Sequence, residues 1–81
     1  MKKILKFSAT WCQPCKMLAK NLEQAQLTVP VEEIDVDEMG DLSAEYKIRG
    51  VPTLVMLESG KEIKRVSGVK TVDDLRAWAN S

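Results

Sequence analysis

The chain has 81 residues, a length that fits a single domain spanning residues 1–81. It carries 12 lysines and arginines against 12 aspartates and glutamates, so no basic excess points to nucleic acid or to an anionic membrane surface. No apolar run approaches the ~20 residues of a membrane span, and Lys6 cuts short the one that follows Met1-Lys2-Lys3, so the start reads as a strand rather than a leader, and the expectation is a monomeric, cytoplasmic protein.

Lys3–Ser8 reads as the first strand, with Leu5 and Phe7 on one face and Ile4, Lys6 and Ser8 on the other. Ala9-Thr10-Trp11 bends into a helix expected from about Cys12 to Gln26, with Met17, Leu18, Leu22 and Ala25 as its inward stripe. Pro30 breaks that helix, and Val31–Val36 reads as a second strand. Asp35, Asp37, Glu38 and Asp41 form an acidic cluster without regular calcium-loop spacing, which reads as a solvated turn. A short helix follows over Asp41–Lys47, with Leu42 and Tyr46 facing inward. Thr53–Leu57 is almost wholly apolar, as suits a central strand covered on both faces. Glu58-Ser59-Gly60-Lys61 is a hairpin turn, and Glu62–Ser67 returns as an edge strand with Ile63 and Val66 inward. Thr71 with Asp74 three residues on resembles a capping box, opening a last helix to about Ala79 with Val72, Leu75 and Trp78 on one face. The order βαβαββα implies an α/β fold: a four-stranded mixed sheet with helices on both faces. Its first two strands are parallel across a helical crossover and its last two antiparallel.

Both cysteines, Cys12 and Cys15, fall where the first strand becomes the first helix. Residues three apart share a helix face, with Cβ atoms about 5–6 Å apart, so a modest adjustment lets the two sulfurs join or part. The amides at a helix start are unsatisfied and carry partial positive charge, which favours a thiolate at Cys12. Cys15, one turn in, is expected to be less exposed. Pro14 suits a first turn, where its missing N–H costs nothing. A purely structural disulfide across so short a loop would contribute only about 2 kcal/mol. Zinc needs four ligands, and with no histidine and no third cysteine a second copy would have to complete the site. A redox pair, an intersubunit metal or cluster site, and inert thiols remain as readings; a helix start beside a βαβ pattern favours the first.

Phe7-Ser8-Ala9-Thr10-Trp11-Cys12-Gln13-Pro14-Cys15-Lys16-Met17 resembles the active-site segment of thioredoxins. Tyr46-Lys47-Ile48-Arg49-Gly50-Val51-Pro52-Thr53-Leu54 is similar to their second signature, and Ser59-Gly60-Lys61 and Val66-Ser67-Gly68 to their hairpin and last glycine. The resemblance implies a thioredoxin-like fold and a protein-disulfide reductase that carries electrons in cell redox homeostasis. In it Cys12 is the nucleophile and Cys15 the resolving thiol. Pro52 would be cis, leaving the Val51 backbone to pair with an extended substrate. Trp11, Gln13, Pro14, Val51, Pro52 and Gly68 would form the docking surface. Disulfide-containing proteins would be the substrates and thioredoxin reductase the electron donor, with no cofactor and no metal bound.

Four departures from the family pattern stand out. The family's first strand and helix have no counterpart, which brings the length near that of glutaredoxins and leaves a glutathione-coupled oxidoreductase as an alternative. A non-catalytic binding subunit is a third. Gln13 stands where the family usually has glycine, and Lys20 where a proline usually kinks the helix. Lys6 sits at the place of a buried aspartate and Glu33 at that of its lysine partner, as if the pair were kept with its charges exchanged. The expectation is that Lys6 and Glu33 meet beneath Cys15 and that one of them relays a proton; the alternative is a Lys6 that extends its amine to solvent.

Overall fold

The computed structural model describes all residues, Met1–Ser81. Seven elements follow in the expected order: β1 (Lys2–Ser8), α1 (Gln13–Ala25), β2 (Val31–Asp35), α2 (Gly40–Glu45), β3 (Thr53–Glu58), β4 (Lys61–Ser67) and α3 (Val72–Asn80). They build one four-stranded sheet in the order β2-β1-β3-β4. β1 pairs parallel with β2, and antiparallel pairs join β1 to β3 and β3 to β4.

The pleat sorts side chains into two layers. Ile4, Leu54 and Met56 face α1 and α3, where Leu18, Ala25, Leu75 and Ala79 close a buried cluster. Leu5, Phe7, Ile34, Val55 and Leu57 face the other way, under Leu42, Tyr46 and Ile48. Lys6 shares the face of Ile4, so the alternation places a lysine beneath α1.

Element ends follow local chemistry. Lys47 adopts φ 55°, outside helical space, so α2 stops at Glu45 with Tyr46 as its cap rather than running to Lys47. Ser59 and Gly60, at φ 52° and 85°, form a two-residue hairpin loop, and pairing therefore extends to Glu58 and Lys61. α3 opens as expected on Thr71, whose Oγ1 accepts the Asp74 N–H at 3.1 Å.

Two side chains expected inward lie outward. Met17 is 60% exposed: the inward stripe of α1 begins at Cys15 and continues through Leu18, Leu22 and Ala25, which carries Met17 off that face. Ile63 is 46% exposed. The register changes between Met56, opposite Lys64, and Leu57, opposite Glu62, leaving Ile63 as the extra residue of a bulge. Val66 stays packed on the α1–α3 layer. Beside the bulge the Arg65 guanidinium bonds both Glu62 carboxylate oxygens and the Tyr46 carbonyl. The hydrogen bonds from Arg65, with its charge, hold the Glu62 carboxyl below its usual range.

Candidate functional site

Parallel pairing brings the C-terminal ends of β1 and β2 side by side. The Val36 N–H donates to the Ser8 carbonyl at 2.9 Å, so the residues that follow β2 lie against those that follow β1. On the β1 side the Cys12 N–H donates to the Ala9 carbonyl at 3.2 Å, closing the bend. Cys12 is then the N-cap of α1, with extended φ −95° and ψ 107°. Its Sγ accepts the Cys15 N–H at 3.1 Å. Pro14 stands in the first turn, which holds no acidic residue. The helix start therefore directs an amide and an uncompensated partial positive charge at the Cys12 sulfur.

Cys12 and Cys15 are joined as a disulfide, with Cα atoms 5.2 Å apart. The two residues are 4% and 3% exposed, so the expected difference in exposure is absent. Both pack with Ala9 under Val36 and Val51. They differ in what surrounds them. Cys12 Sγ lies 3.9 Å from the Val51 carbonyl oxygen, on the outer side of the site. Cys15 lines a cavity on the inner side.

Around Cys12 three loops converge. Trp11 is 68% exposed, and its indole Nε1–H donates to Asp37 Oδ2 at 2.9 Å, which fixes the ring. The Val51–Pro52 peptide bond is cis. The Gly68 N–H donates to the Pro52 carbonyl at 3.0 Å from a backbone at φ 86°, a conformation that glycine takes without cost. The Thr53 hydroxyl donates to the Gly50 carbonyl at 2.8 Å. Neither the N–H nor the C=O of Val51 enters a backbone hydrogen bond of the chain. Gln13 and Pro14 are exposed at the start of α1. Between Trp11 and this loop runs a groove of about 320 Å³, lined by Trp11, Val36, Ser43, Ile48, Arg49 and Val51 among others.

Behind Cys15, Lys6 and Glu33 come together. They are direct register partners across β1 and β2, with Nζ 3.7 Å from Oε1. Lys6 does not extend to solvent: its side chain is 9% exposed, whereas that of Glu33 is 67% exposed. The Ser8 hydroxyl donates to the other Glu33 oxygen at 3.1 Å. Lys6, Cys15 and Glu33 line a common cavity of about 280 Å³, with Lys16 and Asp35 at its walls.

The sequence reading missed Asp37 as the partner of Trp11, and Val36, Ile48 and Arg49 as groove walls. The signal was present for the first two. Two parallel strands joined by a crossover place their following residues together, so Val36 and Asp37 had to meet the bend after Ser8. By composition Asp37 belongs to an acidic turn, and its companion Asp35 does act there, accepting the Asp37 N–H at 2.9 Å.

A family model described as Thioredoxin matches residues 1–81. Thioredoxin-1 of Saccharomyces cerevisiae is 38% identical over 68 residues, covering 80% of this chain and 66% of that protein. Thioredoxin H2-2 of Oryza sativa is 35% identical over 80 residues, covering 95% of this chain and 59% of its own length. The chain thus spans less than two thirds of either relative. Among solved structures, an N21Q mutant thioredoxin from Halobacterium salinarum superposes with a TM-score of 0.90 at 37% identity, over 98% of this chain and 72% of that one.

Proposed function

The chain belongs to the thioredoxin family, and from that premise we propose that it reduces disulfide bonds in proteins by dithiol–disulfide exchange. The observation that carries the reading is the Cys12 sulfur capping α1, 3.1 Å from the Cys15 amide, in a first turn free of acids. Reduced, that sulfur is a thiolate held by a charge-assisted hydrogen bond and by the helix start, a stabilisation of about 0.3–2 kcal/mol from the dipole alone. Its ionisation then falls toward neutral pH.

The reaction proceeds in two exchanges. Cys12 thiolate attacks one sulfur of the substrate disulfide, the substrate S–S bond breaks, and the second substrate sulfur leaves as a thiolate. Cys15 thiolate next attacks Cys12 Sγ in the mixed disulfide, which releases the remaining substrate thiolate and forms the Cys12–Cys15 bond. Trp11, Gln13, Pro14, Val51 and Gly68 form the docking surface, next to the buried Pro52. The N–H and C=O of Val51, neither of which enters a backbone hydrogen bond, are suited to pair with an extended substrate strand, in the manner of strand addition. The chain needs no bound cofactor or metal for these steps. An external reductant restores the dithiol; in this reading it is thioredoxin reductase, and the setting is the cytoplasm, where such a disulfide is transient.

The test is reduction of insulin disulfides with two electron supplies in parallel, thioredoxin reductase with NADPH, and glutathione with its own reductase. Turnover driven by thioredoxin reductase is the expected result. Turnover only with glutathione moves the protein to glutaredoxin-like chemistry, and none with either leaves a binding role for the fold.

A further inference from the structure

One buried cation takes no part in the two exchanges. Lys6 is 7% exposed, and its single ionic partner, Glu33, stands 3.7 Å away with a side chain 67% exposed. Glu33 also accepts from Ser8, and on the other flank of Lys6 the register partner is the apolar Leu54. The ammonium of this largely buried side chain opens on a cavity, and its one loosely held carboxylate leaves room for a second negative group. The cavity it faces offers one. Five groups that are charged or can become so line that space: Lys6, Lys16, Glu33, Asp35 and the Cys15 sulfur. Asp35 is turned to the Asp37 amide, and Lys16 is exposed, so solvent screens it.

We propose that Lys6 is the counter-cation of the Cys15 thiolate, a positioning residue that pairs with Glu33 while the disulfide is closed and with the Cys15 sulfur once it opens. The proposal rests on the dithiol–disulfide reading above. In the mixed disulfide the Cys15 S–H gives its proton to solvent, and the thiolate forms facing the Lys6 ammonium. Its electron pair attacks Cys12 Sγ, the bond from Cys12 to the substrate sulfur breaks, and the substrate leaves as a thiolate. Lys6 stabilises the anion before the attack and returns to Glu33 when the sulfur is again neutral.

The experiment isolates Cys15 in a Cys12→Ser chain and follows its ionisation with pH by thiolate absorbance. In that background Lys6→Met is expected to raise the midpoint by about one unit, a tenfold loss of thiolate at a fixed pH below it, the scale on which a nearby opposite charge acts. Lys6→Arg is expected to keep the midpoint, and Glu33→Gln to lower it by a smaller amount because Lys6 loses its competing partner. A midpoint unmoved by Lys6→Met, or moved equally by Lys6→Arg, overturns the proposal. Should Lys6→Met fail to fold, the exposed Glu33→Gln decides, and an unchanged or raised midpoint overturns it. Insulin reduction by the unsubstituted chain keeps the two readings apart. A chain that reduces insulin while Cys15 ignores Lys6 loses only this proposal. A chain that shows the shift but reduces nothing loses only the oxidoreductase reading.

Discussion

Two helices of this fold begin in the same way and are used differently. At α1 the Cys12 sulfur accepts the amide three residues on at 3.1 Å, and at α3 the Thr71 hydroxyl accepts its counterpart at 3.1 Å. Both caps have extended backbones, with ψ 107° and 166°. The difference is in the turn that follows. α3 carries Asp73 and Asp74 there, so its partial positive charge is already met, whereas α1 carries no acid. A capped and neutralised start stabilises a helix and does nothing else. A start capped by sulfur and left without a carboxylate keeps its electrostatic stabilisation for whatever anion the cap itself becomes.

The hardest break of this comparison replaces the sulfur and keeps the cap. Serine is as good an N-cap as threonine, so Cys12→Ser makes α1 begin as α3 does. The expected outcome is complete loss of insulin reduction with an unchanged far-UV circular dichroism spectrum. Activity near the parent level would remove Cys12 from the nucleophile's role. Loss of the helical signal would mean that sulfur at this position is chiefly structural.

The opposite break removes the cap where no chemistry depends on it. Thr71→Ala leaves the Asp74 amide without its acceptor and is expected to cost about 1 kcal/mol, which lowers the melting temperature by about 4–8 °C for a domain this small. Disulfide-reduction rates at a temperature where the chain stays folded should not change. A fall in rate without a fall in stability would show that the α3 start communicates with the cysteines, and the contrast between the two helices would fail.

The Thr71 cap was legible from residue type and spacing alone, because a cap is a local device; the cysteine pair at i and i+3 after an apolar run marked the start of α1, but the helix was expected to begin at Cys12 rather than to be capped by it. The four strands, the parallel β1–β2 pair and the β3–β4 hairpin were legible for a similar reason, since alternation and connection length restrict topology; that β1 pairs antiparallel with β3, which sets the strand order, was not. What escaped depended on chain segments far apart. Ile63 left the core because β3 and β4 change register opposite Leu57, and no feature of the Lys61–Ser67 segment announces a bulge. Met17 reads as inward only when the stripe begins there and omits Cys15, two residues before it. The equal burial of Cys12 and Cys15 comes from Val36 and Val51, which arrive from other loops. Trp11 and Asp37 stand 26 residues apart, and only the parallel register of β1 and β2 brings them together. The pairing of Lys6 with Glu33 follows from the family resemblance. That Lys6 is enclosed while Glu33 is open required the cavity to be seen.

The finest break adds to α1 the one thing that distinguishes α3. Gln13 is the first residue of the helix and its side chain is exposed, so Gln13→Glu puts a carboxylate at the helix start without disturbing packing. With the disulfide closed the sulfur is neutral, and the new charge should stabilise the helix by about 0.3–1 kcal/mol. With the disulfide open the same carboxylate faces a thiolate and competes with it for the same amides. The sign therefore reverses between the two redox states. The oxidised chain should melt slightly higher, while alkylation of reduced Cys12 at mildly acidic pH should slow by about two- to five-fold, the rate equivalent of that energy. Both effects are between charges near solvent, so both should fade as salt is raised toward 1 M, where the screening length is about 3 Å. Gln13→Asn, uncharged, should show neither. An alkylation rate that Gln13→Glu leaves untouched at low salt would mean that the Cys15 amide alone sets the ionisation of Cys12, and that the missing acids of the first turn are incidental to its chemistry.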